Sequence, residues 1–461
     1  MTESDWPPWR IGGGGADISQ GALVHMKKQL AHRWFWSGVL IVSAQMALGA
    51  AAVAQTGIEV PTRDTVIGRG ETVTNRPRPD FDPLGVRAGS FIILPSVRLQ
   101  EEYSDNIFST QTGEQSDFIS TVSPQLIVQS DWGNHMLRLD GGADVAFYND
   151  NDDENFEDYR FGASGRVDVT RQTKIRPRVS YRQGHSDRSS PNDAGGIEPT
   201  IFDVMSAGLE GSHKFNRLSV TVGGTFDQYD YDDVATAGGG TINNDDRDRE
   251  DLEASVRLGY EVSPNYEGFV RGAYNIRDYD SAVDDSGINR DSDGVEIVAG
   301  VGIDFGGITF GEFFAGYRAQ DYDDPMLETA SGPIVGADII WNVTQLTTVT
   351  GSISREIRES TTQDPVTGNF ASGRFFSTVG VAVDHELRRN VLLGANVSAS
   401  QDDFQGIDRT DNIYRAGISA RYFLNRYANV GGQYRLRMRD SDAAGADFTE
   451  NQFLLNLRVQ Y

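Results

Sequence analysis

Phe453-Leu-Leu-Asn-Leu-Arg-Val-Gln-Tyr461 decides the reading of this chain. Phe453, Leu455, Leu457, Val459 and Tyr461 fall on one face of an extended segment, because side chains in a strand point alternately to opposite sides. Asn456, Arg458 and Gln460 fall on the other face, with Leu454 the one apolar exception. An apolar row that stops on an aromatic residue matches the closing strand and assembly signal of a bacterial outer-membrane β-barrel. Its apolar side would meet lipid and its polar side a lumen. An edge strand of a soluble sheet can alternate in the same way, so the rest of the chain has to decide.

The other end of the chain decides for the barrel. Met26-Lys-Lys28, with His32 and Arg33, precedes an apolar run from Trp34 to Leu48 and then small residues ending in Ala52-Val-Ala54 before Gln55. Basic, apolar, then A-x-A is the order of a secretory signal peptide. The sequence therefore predicts a signal over 26–54, cleaved after Ala54, with Ala52 and Ala54 as the small residues at the cleavage site. Residues 1–25 do not fit such a signal; they read as an upstream extension with translation starting at Met26, the alternative being a long n-region. No other stretch reaches the roughly 18 apolar residues that a membrane helix needs.

Composition agrees. The absence of cysteine excludes disulfides and thiolate metal sites. The net charge of −26 sits largely in Asp clusters between strands. A disordered acidic chain is excluded by the aromatic content and the regular alternation, and a cytosolic acidic enzyme by the signal.

From Gln55 to about Arg87 the chain has prolines and arginines but little periodicity, and it reads as a periplasmic lead-in that folds partly into a barrel mouth. A TonB-docking segment is the alternative reading, but a plug domain would follow it and there is no room for one before Phe91. From about residue 88 to 461, segments of alternating polarity recur, such as Leu137 to Phe147, Leu218 to Phe226 and Val391 to Ala399. Each is about as long as a tilted bilayer-crossing strand. Short connections such as Lys214-Phe-Asn216 alternate with long acidic ones such as 183–200, 229–249 and 402–411. The expected fold is all-β: a transmembrane, antiparallel, up-and-down barrel of about 18 strands (range 16–18), with short periplasmic turns and long acidic extracellular loops. Pro124 and Pro177 fall within strands and are expected at bulges or strand ends. The loops 183–200 and 229–249 are the candidates for folding into the lumen.

At Arg76-Pro-Arg-Pro-Asp-Phe-Asp-Pro-Leu-Gly85, the first strand with Pro95, and Tyr103-Ser-Asp-Asn106 the chain resembles the outer-membrane β-barrel porin family of alphaproteobacteria. The specific motifs cover only the start of the barrel; the layout matches from about Thr74 to Tyr461. The resemblance implies a porin-like barrel, in a family often encoded beside exopolysaccharide synthesis and export genes, with no catalytic residues to carry over.

Chemistry is concentrated in the lumen. The densest basic rows are Arg176, Arg178 and Arg182, and Arg435, Arg437 and Arg439. Rows of guanidinium groups facing water bind carboxylates and phosphates through paired hydrogen bonds. They would form an anion-preferring constriction or a track for an acidic polysaccharide. The other reading is that they pair with lumen carboxylates such as Asp140, Asp144 and Glu312 and only hold the wall. The acidic loops read as solvated, and Arg290-Asp-Ser-Asp-Gly294 lacks the later Glu of a calcium loop, so no metal and no cofactor is expected. His185-Ser-Asp187 lies near an outer rim, but three consecutive side chains cannot converge as a catalytic relay requires. The expected function is passive diffusion or export, with an acidic exopolysaccharide as cargo. A structural or adhesive barrel is the alternative, and an outer-membrane hydrolase a remote one. Expected partners are outer-membrane lipid and lipopolysaccharide, the barrel-assembly machinery and polysaccharide export components, with no nucleic acid.

Overall fold

The computed structural model describes residues 72–461, apart from residues 307 and 365–366. The extension 1–25, the signal segment with Ala52 and Ala54, and the lead-in up to residue 71 lie outside the described residues.

Strands follow one another almost without interruption: β1 (Val86–Ala88), β2 (Phe91–Ser104), β3 (Asp117–Ser130), β4 (Met136–Tyr148), β5 (Phe156–Asp168), β6 (Thr173–His185) and β7 (Ile201–Phe215). Next come β8 (Leu218–Tyr231), β9 (Val234–Ala235), β10 (Thr241–Ile242), β11 (Arg249–Ser263), β12 (Tyr266–Tyr279), β13 (Ser292–Asp304) and β14 (Thr309–Tyr322). The last are β15 (Ala330–Thr344), β16 (Thr347–Glu359), β17 (Gly373–Arg388), β18 (Val391–Gln405), β19 (Thr410–Asn425), β20 (Ala428–Ser441) and β21 (Phe448–Gln460). β2–β8 and β11–β21 form one antiparallel barrel of 18 strands, each paired with its neighbours in sequence. β2 closes it, pairing with β3 on one side and with β21 on the other, from Ser96 opposite Gln460 to Ser104 opposite Gln452. Closure leaves no edge strand with unsatisfied backbone groups, which is the condition for a sheet to sit in hydrocarbon. β1 extends the base of β2, and β9 with β10 form a small hairpin inside the loop 232–248.

Alternation sets the faces. On β11, Leu252, Val256, Leu258, Tyr260 and Val262 are all exposed, whereas Arg257 between them pairs with Glu267 and Glu312 at 3.3 and 3.0 Å. On β21, Phe453, Leu455, Leu457 and Val459 are exposed, as is Tyr461 just beyond the strand, while Leu454 turns inward and is 2 % exposed. Apolar outside and charged inside is the reverse of a soluble protein and is what lipid demands.

One rim has tight turns. In the two-residue turn between β7 and β8, Asn216 has φ 56°, a left-handed conformation that Asn tolerates better than most residues. The other rim carries the longer loops. Strands of 13 to 16 residues outrun the 9–11 that a bilayer requires, and this corrects some expected loops. Residues 402–411 are mostly strand, with only 406–409 between β18 and β19. Asp402 and Asp411 are buried wall residues that pair with Arg374 (2.8 Å) and Arg409 (2.7 Å). The prolines are also corrected: neither marks a bulge or a strand end. Pro124 lies mid-strand, where the β3–β4 ladder omits Ser123 and Pro124 and resumes in the same register. The β5–β6 ladder does the same at Arg176 and Pro177. A missing N–H removes a hydrogen bond without shifting the strand.

Candidate functional site: an arginine wall and the segments that cross the lumen

Most inward arginines sit beside a carboxylate. Asp144 takes Arg98 at 3.3 Å and Arg160 at 2.7 Å; Glu296 takes Arg271 at 2.6 Å and Arg318 at 3.6 Å. Of the first predicted row, Arg176 pairs with Glu210 across the ladder. Arg178 and Arg182 are exposed. Arg178 lies over Gly208, where a Cβ would come within 2.7 Å of its Nε, and the Arg182 guanidinium stands 5.0 Å from the centre of the Phe202 ring.

The second row sits in a more basic wall made by β19, β20, β21 and β2. Arg415 is directly opposite Arg437, and Arg98 directly opposite Arg458. Arg435 faces Gly417, and Arg421 faces Gly431. Like charges directly opposite one another destabilise a sheet, a penalty that Asp144 beside Arg98 and Glu450 beside Arg437 offset only for one member of each pair. Arg415 was missed by sequence reasoning, although its parity with Arg421 in the same strand places it inward. One of its Nη atoms is buried without a hydrogen-bond partner.

Two segments enter the lumen from opposite rims. The first is the loop 186–200, between β6 and β7. Asp187 accepts from Arg437 at 3.0 Å, and Arg437 also donates to Ser189 Oγ (2.9 Å) and to Glu450 (2.7 Å). Arg439 donates to the Ser189 carbonyl at 2.8 Å. The predicted track Arg435, Arg437 and Arg439 is therefore not a free row: two of its members clasp the loop. Burial alone would raise the Asp187 carboxyl, but the Arg437 charge and the Ser189 donors hold it down at about 2. Farther along, Asn192 Nδ2 donates to the Glu359 carbonyl (3.3 Å) and its Oδ1 accepts from the Thr361 N–H (3.4 Å). β20 and β16 belong to different sectors of the wall, so the loop bridges the lumen between them. Its base is held by Arg188, which meets Glu154 through a two-point fork of 2.9 and 2.5 Å. The loop 229–249, the other candidate, backs it: the Ile197 N–H donates to the Ala235 carbonyl at 2.9 Å.

The second segment is the lead-in, at the short-turn rim. Arg78 and Glu386 form a buried pair at 3.1 Å, 3 % and 4 % exposed. Val73 N–H donates to Thr348 Oγ1 at 2.9 Å, Arg76 donates to the Gln345 carbonyl, and the Phe81 ring lies 5.8 Å from that of Phe423.

His185, Ser186 and Asp187 do not converge. His185 Nδ1 contacts Asp158 at 2.9 Å and its ring stacks on Phe156, while Asp187 is turned to Arg437. Among the described residues no group of three or more His, Cys, Asp or Glu is placed to hold a metal ion.

A family model described as "Putative beta-barrel porin 2" matches residues 78–461. No curated protein matches the chain. Solved structures similar to it include a mutant of the ferric enterobactin receptor PfeA of Pseudomonas aeruginosa, 8 % identical, covering 82 % of this chain and 81 % of that one at TM-score 0.45. OccK3 (OpdO) of the same organism is 12 % identical, covering 80 % and 96 % at TM-score 0.41. The siderophore receptor PirA of Acinetobacter baumannii is 8 % identical, covering 80 % of each chain at TM-score 0.44.

Proposed function

Because the chain belongs to this β-barrel porin family, we propose that it is a passive outer-membrane channel for anionic solutes, which pass along the β19–β20–β21–β2 wall. The observation that carries this reading is the pair of facing arginines, Arg415 with Arg437 and Arg98 with Arg458. A wall built only for stability would separate them; a wall that meets carboxylates or phosphates in transit uses them. An acidic exopolysaccharide is one such cargo, and its export requires the Arg437–Asp187 clasp to open. In that case the lead-in is the surface offered to periplasmic export components, and the exposed row Phe453 to Tyr461 the one offered to the assembly machinery and then to lipid.

The test is reversal potential in planar bilayers under a salt gradient. Wild type is expected to prefer chloride to potassium. Arg415→Gln, Arg421→Gln and Arg435→Gln together should move that preference towards neutrality. Cation preference in wild type, or no change in the triple variant, rejects the reading. A second reading, a structural barrel, is favoured by one observation: protein enters the lumen from both rims, at Asp187–Asn192 and at Val73–Phe81. A correctly folded barrel with no conductance would select it.

A further inference from the structure

Resting on the reading of an anion-accepting lumen, we propose that a pocket in the opposite wall, between β8, β11, β12 and β16, binds a carboxylated sugar ring of the hexuronate class. The pocket holds about 280 Å³ and is closed on one side by Asn192 of the crossing loop. Ligand pockets usually span about 300–1,000 Å³, so this one takes a single ring.

Its chemistry is mixed in a way that selects the ligand. Arg247 is the cation best placed for a carboxylate. It lies 4.0 Å over the Tyr231 ring and donates to Asn244 at 3.4 Å. Among the described residues it has no carboxylate partner. Arg249 stands 4.0 Å over Tyr229 and 3.3 Å from Asp251. A carboxylate entering here meets guanidinium donors already oriented by aromatic rings.

The same pocket carries acceptors. Asp251 Oδ1 is buried and makes no hydrogen bond, its nearest cation being Arg249 Nε at 3.3 Å, and Glu359 lines the space while paired with Arg277 and accepting from the Tyr279 hydroxyl at 3.2 Å. An ionised carboxylate has several acceptor sites and can take a hydroxyl donor beside its guanidinium partner, and carboxylates repel a bare anion. A ligand with hydroxyl donors beside its carboxylate satisfies both sets. An aliphatic or benzoic acid supplies the charge but no hydroxyl for the Asp251 and Glu359 carboxylates; a neutral sugar supplies the hydroxyls and leaves Arg247 without a carboxylate. The tyrosines Tyr229, Tyr231 and Tyr279 give the rims against which the C–H face of a sugar packs.

The experiment is isothermal titration of the detergent-solubilised full barrel with D-galacturonate, D-galactose and acetate, followed by the same titrations on Arg247→Gln and Asn192→Ala. Galacturonate should bind in saturable fashion, at least about tenfold more tightly than either of the others, as expected when a charge-assisted pair is added to satisfied hydroxyls. Both variants should weaken it, Arg247→Gln by about tenfold. Circular dichroism checks that each variant is folded. Equal binding of acetate and galacturonate, or galacturonate binding untouched by both variants, overturns the proposal. Trigalacturonate distinguishes the source: tighter binding than the monomer points to one residue of a polymer, equal or weaker binding to a free sugar acid. The titration does not depend on conduction. Chloride preference without galacturonate binding removes the pocket alone, and binding without anion preference removes the channel reading.

Discussion

Replacing Arg188 by Ala should release the loop that crosses the lumen. Arg188 and Glu154 are 11 % and 5 % exposed and meet through two contacts, at 2.9 and 2.5 Å. Arg188 also reaches the Gly196 carbonyl at 3.0 Å and Asp193 at 3.6 Å. Burial works against the Arg188 charge, and Glu154 more than compensates, holding the guanidinium above its ordinary value. Removing one partner of such a pair leaves the other buried and uncompensated, at about 3–5 kcal/mol. At about 1.4 kcal/mol per tenfold, that moves the seated-to-lifted equilibrium of the loop by about two to three and a half orders of magnitude. The clasp at the far side cannot offset this. Asp187 lies deep within the barrel but keeps 60 % of its side chain open to the lumen, and a pair so open contributes only about 0–1 kcal/mol. The assay is single-channel conductance, with a variant lacking residues 189–197 as the open reference. Arg188→Ala should conduct more than wild type and approach the deletion. If it conducts like wild type while the deletion conducts more, Glu154 is not what seats the loop. If neither differs from wild type, the loop does not limit passage at all.

Other expectations follow from the same geometry. The chain has no cysteine, so Asn192→Cys with Thr361→Cys needs no cleared background. Oxidation should join these positions and reductant should reverse any loss of current, whereas failure to cross-link would show that the loop does not reach β16. Arg78→Ala leaves Glu386 buried at 4 % exposure with Arg76 and Arg389 each 3.7 Å away and should weaken docking of the lead-in by about 1.5–3 kcal/mol, the range for one charge-assisted hydrogen bond, measured as faster proteolysis within residues 72–85; unchanged protection would rule out the ion pair as its anchor. Asp248 is pushed up to about 6 by burial and by Asp230, Asp245 and Asp280, against the Tyr231 N–H. A carboxyl whose folded pKa is raised makes its site less stable once ionised. The loop 232–248 should therefore gain about 1 kcal/mol, after solvent screening, as pH falls from 7 through 6 to about 4. Hydrogen-exchange protection of the loop should show that gain in wild type and lose it in Asp248→Asn; an equal gain in both would assign the effect to another group.

What the sequence discloses and what it conceals have one physical origin. Alternation is legible because lipid accepts only apolar side chains, so Leu252, Val256 and Leu258 disclose the outward face without any knowledge of their neighbours. Arg415 was equally legible by parity. Strand ends are less so: above the bilayer the outer face is free to be polar, and Asp402 and Asp411 then look like loop although they are paired inside the wall. The identity of each arginine's partner is harder still. Arg257 illustrates the limit: Glu267 lies across a two-residue turn and can be read from the hairpin, whereas Glu312 lies two strands beyond β12 and depends on the stagger of the whole barrel. Arg437 meets Asp187 across 250 residues, and Arg78 meets Glu386 across 308. No local pattern encodes such pairs, because they depend on where a loop or a lead-in comes to rest inside a closed wall. An inward arginine reads the same in sequence whether it is neutralised, clasps a loop or waits for an anion. Only closure of the barrel separates these roles, and it places Arg415 and Arg437 face to face while giving Arg257 two carboxylates.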